Sequence, residues 1–278
     1  MIKSWLQRHP LLGYFILAFG ISWGLILVNM ASRGFDLTPL QKTEGGTLFF
    51  AMLLGPSVSG LICTAILEGQ AGLRKLCWRL LHWRVAVRWY VVALLISPAI
   101  LLIILTSLSV LVEPAFAPRF QWSLFALGML AGVFEEIGWT GFATPRLLAQ
   151  GSVVNAGLIL GLVWASWHLL VDWRYNAGAM GAAVWPMEFV ITYLMTLTPY
   201  RVLMAWIYSH TQSVLLAVLM HASLTGSLLI LVPVVPQSLG FYWQVAFASV
   251  LITGVILFVQ LVGFRNLLVQ DSRKDWIK

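Results

Sequence analysis

Two adjacent carboxylates, Glu135 and Glu136, stand in FALGMLAGVFEEIGWTGFA, whose remaining residues are almost all apolar or small. A charge held at bilayer depth costs about 3 kcal/mol or more, so an intramembrane Glu is kept for a function or for a partner. Neighbours on a helix point about 100° apart, so the two carboxylates need separate tasks. One facing a hydrated, low-dielectric cavity suits general-base work near neutral pH. One paired with a buried Arg would instead lock two helices together.

Two imidazoles occupy other apolar stretches. His168 lies in GLVWASWHLLVDW with Trp164 one turn earlier, and His221 lies in LLAVLMHASLTGS with Thr225 one turn later on the same helical face. Taken singly, each reads as a helix-to-helix hydrogen bond, and Ala222, Ser223 and Gly226 beside His221 suit a packing seam. Taken together, a Glu and two His at similar depth are the parts of a water-activating site, with base and oxyanion donors acting directly or around a metal such as zinc. The spacing H-E-x-x-H does not occur, so zinc held by Glu135, His168 and His221 would be assembled across helices.

The elements that must position these groups are membrane helices. With 60% hydrophobic and 10% charged residues and a mean hydropathy of +0.89, the chain is far from a soluble domain. Its apolar stretches run to about 20 residues, the length of a helical span, rather than the roughly 10 of a barrel strand. An all-α polytopic bundle of about eight helices follows, with spans near 11–31, 47–67, 89–112, 122–142, 152–171, 183–208, 213–233 and 242–263. A polar intramembrane cavity is expected between the fourth, fifth and seventh. One transmembrane domain covers 1–278, with the chemistry in 122–233. Pro186, Pro199, Arg201 and the polar SHTQS segment mark the region after 183 as the place for a broken or re-entrant helix. The first span lacks a small-residue cleavage site and is expected to remain as a helix.

Placing the N-terminus in the cytoplasm puts 12 of the 17 Lys and Arg on that side: Lys3, Arg8, Arg74, Lys75, Arg79, Arg84, Arg88, Arg146, Arg265, Arg273, Lys274 and Lys278. Arg33, Lys42, Arg119 and Arg174 fall in outer loops, and both termini are expected inside the cell. The net charge of +7 thus follows topology, not nucleic acid. Trp78, Leu80, Leu81 and Trp83, interleaved with the basic residues, read as an interfacial helix on anionic lipid. Cys63 and Cys77 have no metal-ligand spacing and read as fillers.

The order of these motifs resembles the CAAX protease and bacteriocin-processing family of intramembrane endopeptidases, which includes the type II CAAX prenyl proteases and lysostaphin-resistance-like proteins. The family pattern Glu-Glu-x-x-x-Arg, Phe-x-x-x-His, His-x-x-x-Asn is matched by EEIGWT, WASWH and HASLT. GPSVSGLI, the basic GLRKL and WRVAVRWY extend the likeness over about 60–265. The resemblance implies that Glu135 and His168 activate water, that His221 and Thr225 stabilise the oxyanion, and that Glu136 supports them. It leaves metal dependence open.

Three positions depart from the pattern: Thr140 replaces Arg, Trp164 replaces Phe and Thr225 replaces Asn. Arg201, inside the sixth span, is expected to pair with Glu136 or Glu135 and supply the missing cation. The expected activity is peptide-bond hydrolysis in or at the membrane, with lipid and a protein or peptide substrate as partners and no nucleic acid. The alternative is a non-catalytic scaffold or bacteriocin-immunity protein; a carrier would show repeat symmetry, which is absent from the sequence. Asp172 and Arg174 are expected in an interfacial belt, Glu188 at a membrane edge, Arg146 as an anchor, and His9, His82 and His210 at the surface. Trp139 and Trp167 are set apart from the other tryptophans by their nearness to the site.

Overall fold

A computed structural model describes residues 2–35, 42–181 and 183–262. These residues fold into helices joined by short connections: α1 (Ile2–Arg8), α2 (Pro10–Ala31), α3 (Lys42–Leu80), α4 (Val87–Leu111), α5 (Phe125–Gly138), α6 (Thr144–Leu148), α7 (Val153–Trp167), α8 (Leu169–Met180), α9 (Trp185–Phe189), α10 (Met195–Thr211), α11 (Val214–Leu231) and α12 (Gln237–Val262). Two π turns, Trp139–Ala143 and Val190–Leu194, join α5 to α6 and α9 to α10. In lipid, a helix satisfies every interior backbone group within itself, which is why so apolar a chain takes this form.

Among the described residues, six helices are long and apolar enough to cross a membrane, or seven if the bent pair α7–α8 is one span. The protein is a multi-pass membrane protein. Of the eight expected spans, the one carrying Glu135 and Glu136 fails that test, because two carboxylates and the WTG segment dilute its apolar character. It is nonetheless helical from Phe125 to Leu148 through the π turn. Arg265, Arg273, Lys274 and Lys278 lie outside the described residues.

The break in the chain is not where the prolines suggest. Trp185–Thr211 is a continuous span. Pro186 occupies the first turn of α9, where its missing amide costs nothing. Pro199 lies in the first turns of α10, directly beyond a π turn that widens the helix. The break falls instead at His168, where α7 and α8 meet at 48°. There the imidazole Nδ1 donates to the Trp164 carbonyl at 2.8 Å, while the His168 amide turns to the Ala165 carbonyl at 3.1 Å. A side chain has taken the carbonyl that the ladder would have used.

The expected interfacial helix is the end of α3, reached through a kink at Gly69, whose φ of +63° favours glycine. Two glycine seams bring the site-bearing helices together. Gly128 and Gly132 of α5 lie against the backbone of α11 at Gly226 and Val218, and Gly157 and Gly161 of α7 lie against α10 at Val202 and Thr198. Hydroxyls pin the layers: Ser57 donates to the Phe134 carbonyl at 2.5 Å, Tyr200 to Met220 at 2.7 Å, and Ser97 to Tyr200 at 2.9 Å.

A Cβ at position 161 would stand 2.6 Å from the Thr198 Cα, whereas one at Gly24 meets nothing within 4 Å. Gly161→Val is therefore expected to lower stability by about 1–3 kcal/mol, read as a depressed melting temperature in detergent, with Gly24→Val unchanged. Equal melting temperatures for the two variants would contradict the seam.

Candidate functional site

The site is built at the end of α5, where the π turn begins. π turns are rare, and insertions of this kind recur at functional sites because they rotate the helix faces on either side. Glu135 and Glu136 are almost fully buried, at 3% and 0% exposure, along with Arg201 at 0% and His221 at 1%. Side chains from α5, α7, α10 and α11 meet here.

Glu136 is saturated. Its Oε2 accepts from Arg201 Nη1 at 2.8 Å and from the Thr140 hydroxyl, and its Oε1 accepts from Arg201 Nη2 at 3.0 Å and from His221 Nδ1 at 2.7 Å. A carboxylate offers about four acceptor positions, and all four are engaged. The arrangement with Arg201 is the bidentate fork, the strongest form of such a pair. Thr140 bonds the same carboxylate, so the cation and the residue one turn from Glu136 act together. The Arg201 guanidinium also lies 4.0 Å from the centre of the Trp164 ring.

Glu135 is held differently. Its Oε2 accepts from the indole nitrogens of Trp164 at 2.7 Å and Trp139 at 3.2 Å. Its Oε1 faces His221 Nε2 at 3.7 Å, beyond hydrogen-bond distance. One carboxylate oxygen thus keeps its acceptor capacity, opposite an imidazole nitrogen. Trp164 does what a Phe could not: it donates a hydrogen bond to Glu135. In the sequence Trp164 reads only as a replacement for Phe, although a buried indole needs a partner for its N–H.

His168 joins this group only through Trp164, whose carbonyl accepts its Nδ1–H. In the neutral imidazole, Nε2 then keeps its lone pair. The His168 ring packs on Tyr193 with centroids 4.8 Å apart. Thr225 is half-buried, and among the described residues no hydrogen bond ties its hydroxyl to the carboxylates. Among the described residues, no three His, Cys, Asp or Glu side chains converge as a metal-binding group, so the cross-helix set of Glu135, His168 and His221 is not assembled here.

Several surrounding expectations need correction. Asp172 and Arg174 are buried in the protein, at 2% and 1% exposure, and Asp172 accepts from Trp185 Nε1 and Asn176, both at 2.7 Å. Glu188 is 5% exposed and accepts from Thr192 at 2.9 Å. Arg146 is an ion-pair partner of Glu68 as well as a helix-end residue. Trp139 and Trp167 are both fully buried, and Trp139 alone of the two touches a carboxylate. Cys63 and Cys77 are free thiols, the first buried and the second exposed.

Residues 117–227 match the family model described as type II CAAX prenyl endopeptidase Rce1-like. A CAAX prenyl protease 2 of Methanococcus maripaludis is 28% identical over 111 residues, which cover 38% of this chain and 40% of that protein. The match therefore spans less than half of that relative's length. EEIGWT, WASWH and HASLT all fall inside the matched segment.

Removing one partner from a buried ion pair costs about 3–5 kcal/mol, so Arg201→Gln is expected to unfold at a much lower temperature than the parent protein. Adding Thr140→Arg to Arg201→Gln should recover part of the loss by returning a cation to Glu136. Failure of Arg201→Gln to lower the unfolding temperature in detergent would contradict the assignment.

Proposed function

We propose that this protein is an intramembrane endopeptidase in which Glu135 activates a water molecule for attack on a peptide carbonyl. The observation that carries this reading is the division between the two carboxylates. Glu136 spends every acceptor position on Arg201, Thr140 and His221, whereas Glu135 keeps one oxygen open. The family match over 117–227 supports a protease.

Glu135 Oε1 and His221 Nε2, 3.7 Å apart, are close enough for one small polar atom to contact both. In the proposed reaction a water gives its proton to Glu135 and forms the new C–O bond. The carbonyl oxygen takes up negative charge and accepts a hydrogen bond from His221 Nε2. The C–N bond then breaks, and Glu135 passes the proton to the leaving amine. His221 can donate from Nε2 while its Nδ1 donates to Glu136 only as an imidazolium. Thr225, one turn along α11, supplies a second donor with a shorter reach than an Asn carboxamide. His168 is placed by Trp164 as a further proton acceptor through Nε2.

No step in this scheme needs a metal, and zinc dependence is decided by parallel assays with added zinc and with a chelator. The substrate is a protein or peptide presented at the membrane. In this reading the α1 end of the bundle faces the cytoplasm, which the Lys and Arg bias of the sequence supports. Retention of a cation on Glu136, through Arg201 in place of a residue at position 140, argues against a scaffold whose site has been lost.

Purified protein in liposomes should cleave members of a peptide library, read by mass spectrometry. Glu135→Gln should lower the rate by at least about 100-fold, the usual contribution of a positioned base. Trp164→Phe, which keeps the ring but removes the donor to Glu135, should cut the rate less. Absence of cleavage by the parent protein across substrates and metals would overturn the proposal.

A further inference from the structure

A cavity of about 580 Å³ opens where α1, α3, α6 and the end of α10 meet, separate from the carboxylate site. Its charged lining is Lys75, Arg79 and Arg146 against a single carboxylate, Glu68. Arg146 already pairs with Glu68, whose side chain is 41% exposed. Arg79 is the unusual member. It is 8% exposed, and its terminal nitrogens donate to neutral acceptors, the Tyr208 hydroxyl at 2.7 Å and the Gly141 carbonyl at 2.9 Å. Its Nε has no hydrogen-bond partner, and among the described residues no carboxylate pairs with it. A buried guanidinium without a counter-charge is costly, and the wall it occupies is built to take an anion.

The rest of the lining says what kind of anion. Leu67, Trp78, Leu148 and Ala149 make most of the wall apolar. A second cavity of about 480 Å³ shares Trp78 and adds Arg74 and Arg84. Trp78, Leu81 and Trp83 are 56%, 68% and 60% exposed beside these arginines. Exposed tryptophans interleaved with basic side chains mark the depth of lipid headgroups, and basic pockets between membrane helices are suited to anionic headgroups.

We propose that this cavity binds the phosphate of an anionic phospholipid, with Arg79 and Arg146 as its donors, Lys75 at the rim and the acyl chains running past Trp78 and Leu67. Glu68 competes with the phosphate for Arg146. The site touches the candidate active site through the backbone: Arg79 holds the Gly141 carbonyl, and Arg146 holds the Phe142 carbonyl at 2.8 Å, both in the π turn that follows the two carboxylates.

The test is native mass spectrometry of the full chain in a neutral detergent, with equimolar phosphatidylglycerol and phosphatidylcholine, and glycerol 3-phosphate as a soluble competitor. Preferential retention of one phosphatidylglycerol is expected. Arg79→Gln should weaken it about tenfold, the worth of one charge-assisted hydrogen bond, and Glu68→Gln should tighten it. Arg146→Gln provides a second weakened variant should Arg79→Gln fail to fold. Equal retention of the two lipids, indifference to Arg146→Gln and Glu68→Gln, or displacement by glycerol 3-phosphate as effective as by the lipid would overturn the proposal.

Discussion

The buried pair between Glu136 and Arg201 is the constraint on which the rest of the site depends. Both side chains are fully enclosed, and neither charge could be tolerated there without the other. Because the guanidinium forks onto both carboxylate oxygens, it fixes the rotation of α5 against α10 as well as their separation. Thr140 and His221 complete the coordination, and in doing so His221 is oriented with its second nitrogen toward Glu135. The geometry around Glu135 is thus a consequence of how its neighbour is held.

Packing supplies what electrostatics alone cannot. The glycine seams between α5 and α11 and between α7 and α10 let four helices approach closely enough for side chains of ordinary length to meet. Trp164 then serves three partners at once: its ring faces Arg201, its indole N–H reaches Glu135, and its carbonyl receives His168. A protein of this composition has few polar groups to spare, and the ones it buries are used more than once.

Much of this was legible in the residues. The helical class, the buried Glu pair, His221 beside it and the pairing cation Arg201 were visible there, because intramembrane charge is rare enough to be conspicuous. Other features left no such mark. A Trp in place of a Phe looks like conserved bulk until a carboxylate is found opposite its N–H. The burial of Asp172, Arg174 and Glu188 also left no mark, since helix ends cannot be located from hydropathy to better than a turn, and a turn separates a solvated carboxylate from a buried one. The bend at His168 was hidden behind two prolines that turned out to be accommodated, and its cause is a side-chain hydrogen bond with no sequence signature. Arg79 counted only as one of several interfacial basic residues, although its burial sets it apart.

The account rests on Glu136 being structural and Glu135 being the group left available for chemistry. The most direct measurement is the unfolding temperature of Glu136→Gln beside that of Glu135→Gln, each in the same detergent. Loss of the forked pair should destabilise Glu136→Gln by about 3–5 kcal/mol, while Glu135→Gln, which keeps an oxygen for the two indoles, should melt close to the parent. Equal losses, or the larger loss at Glu135, would contradict the division of roles.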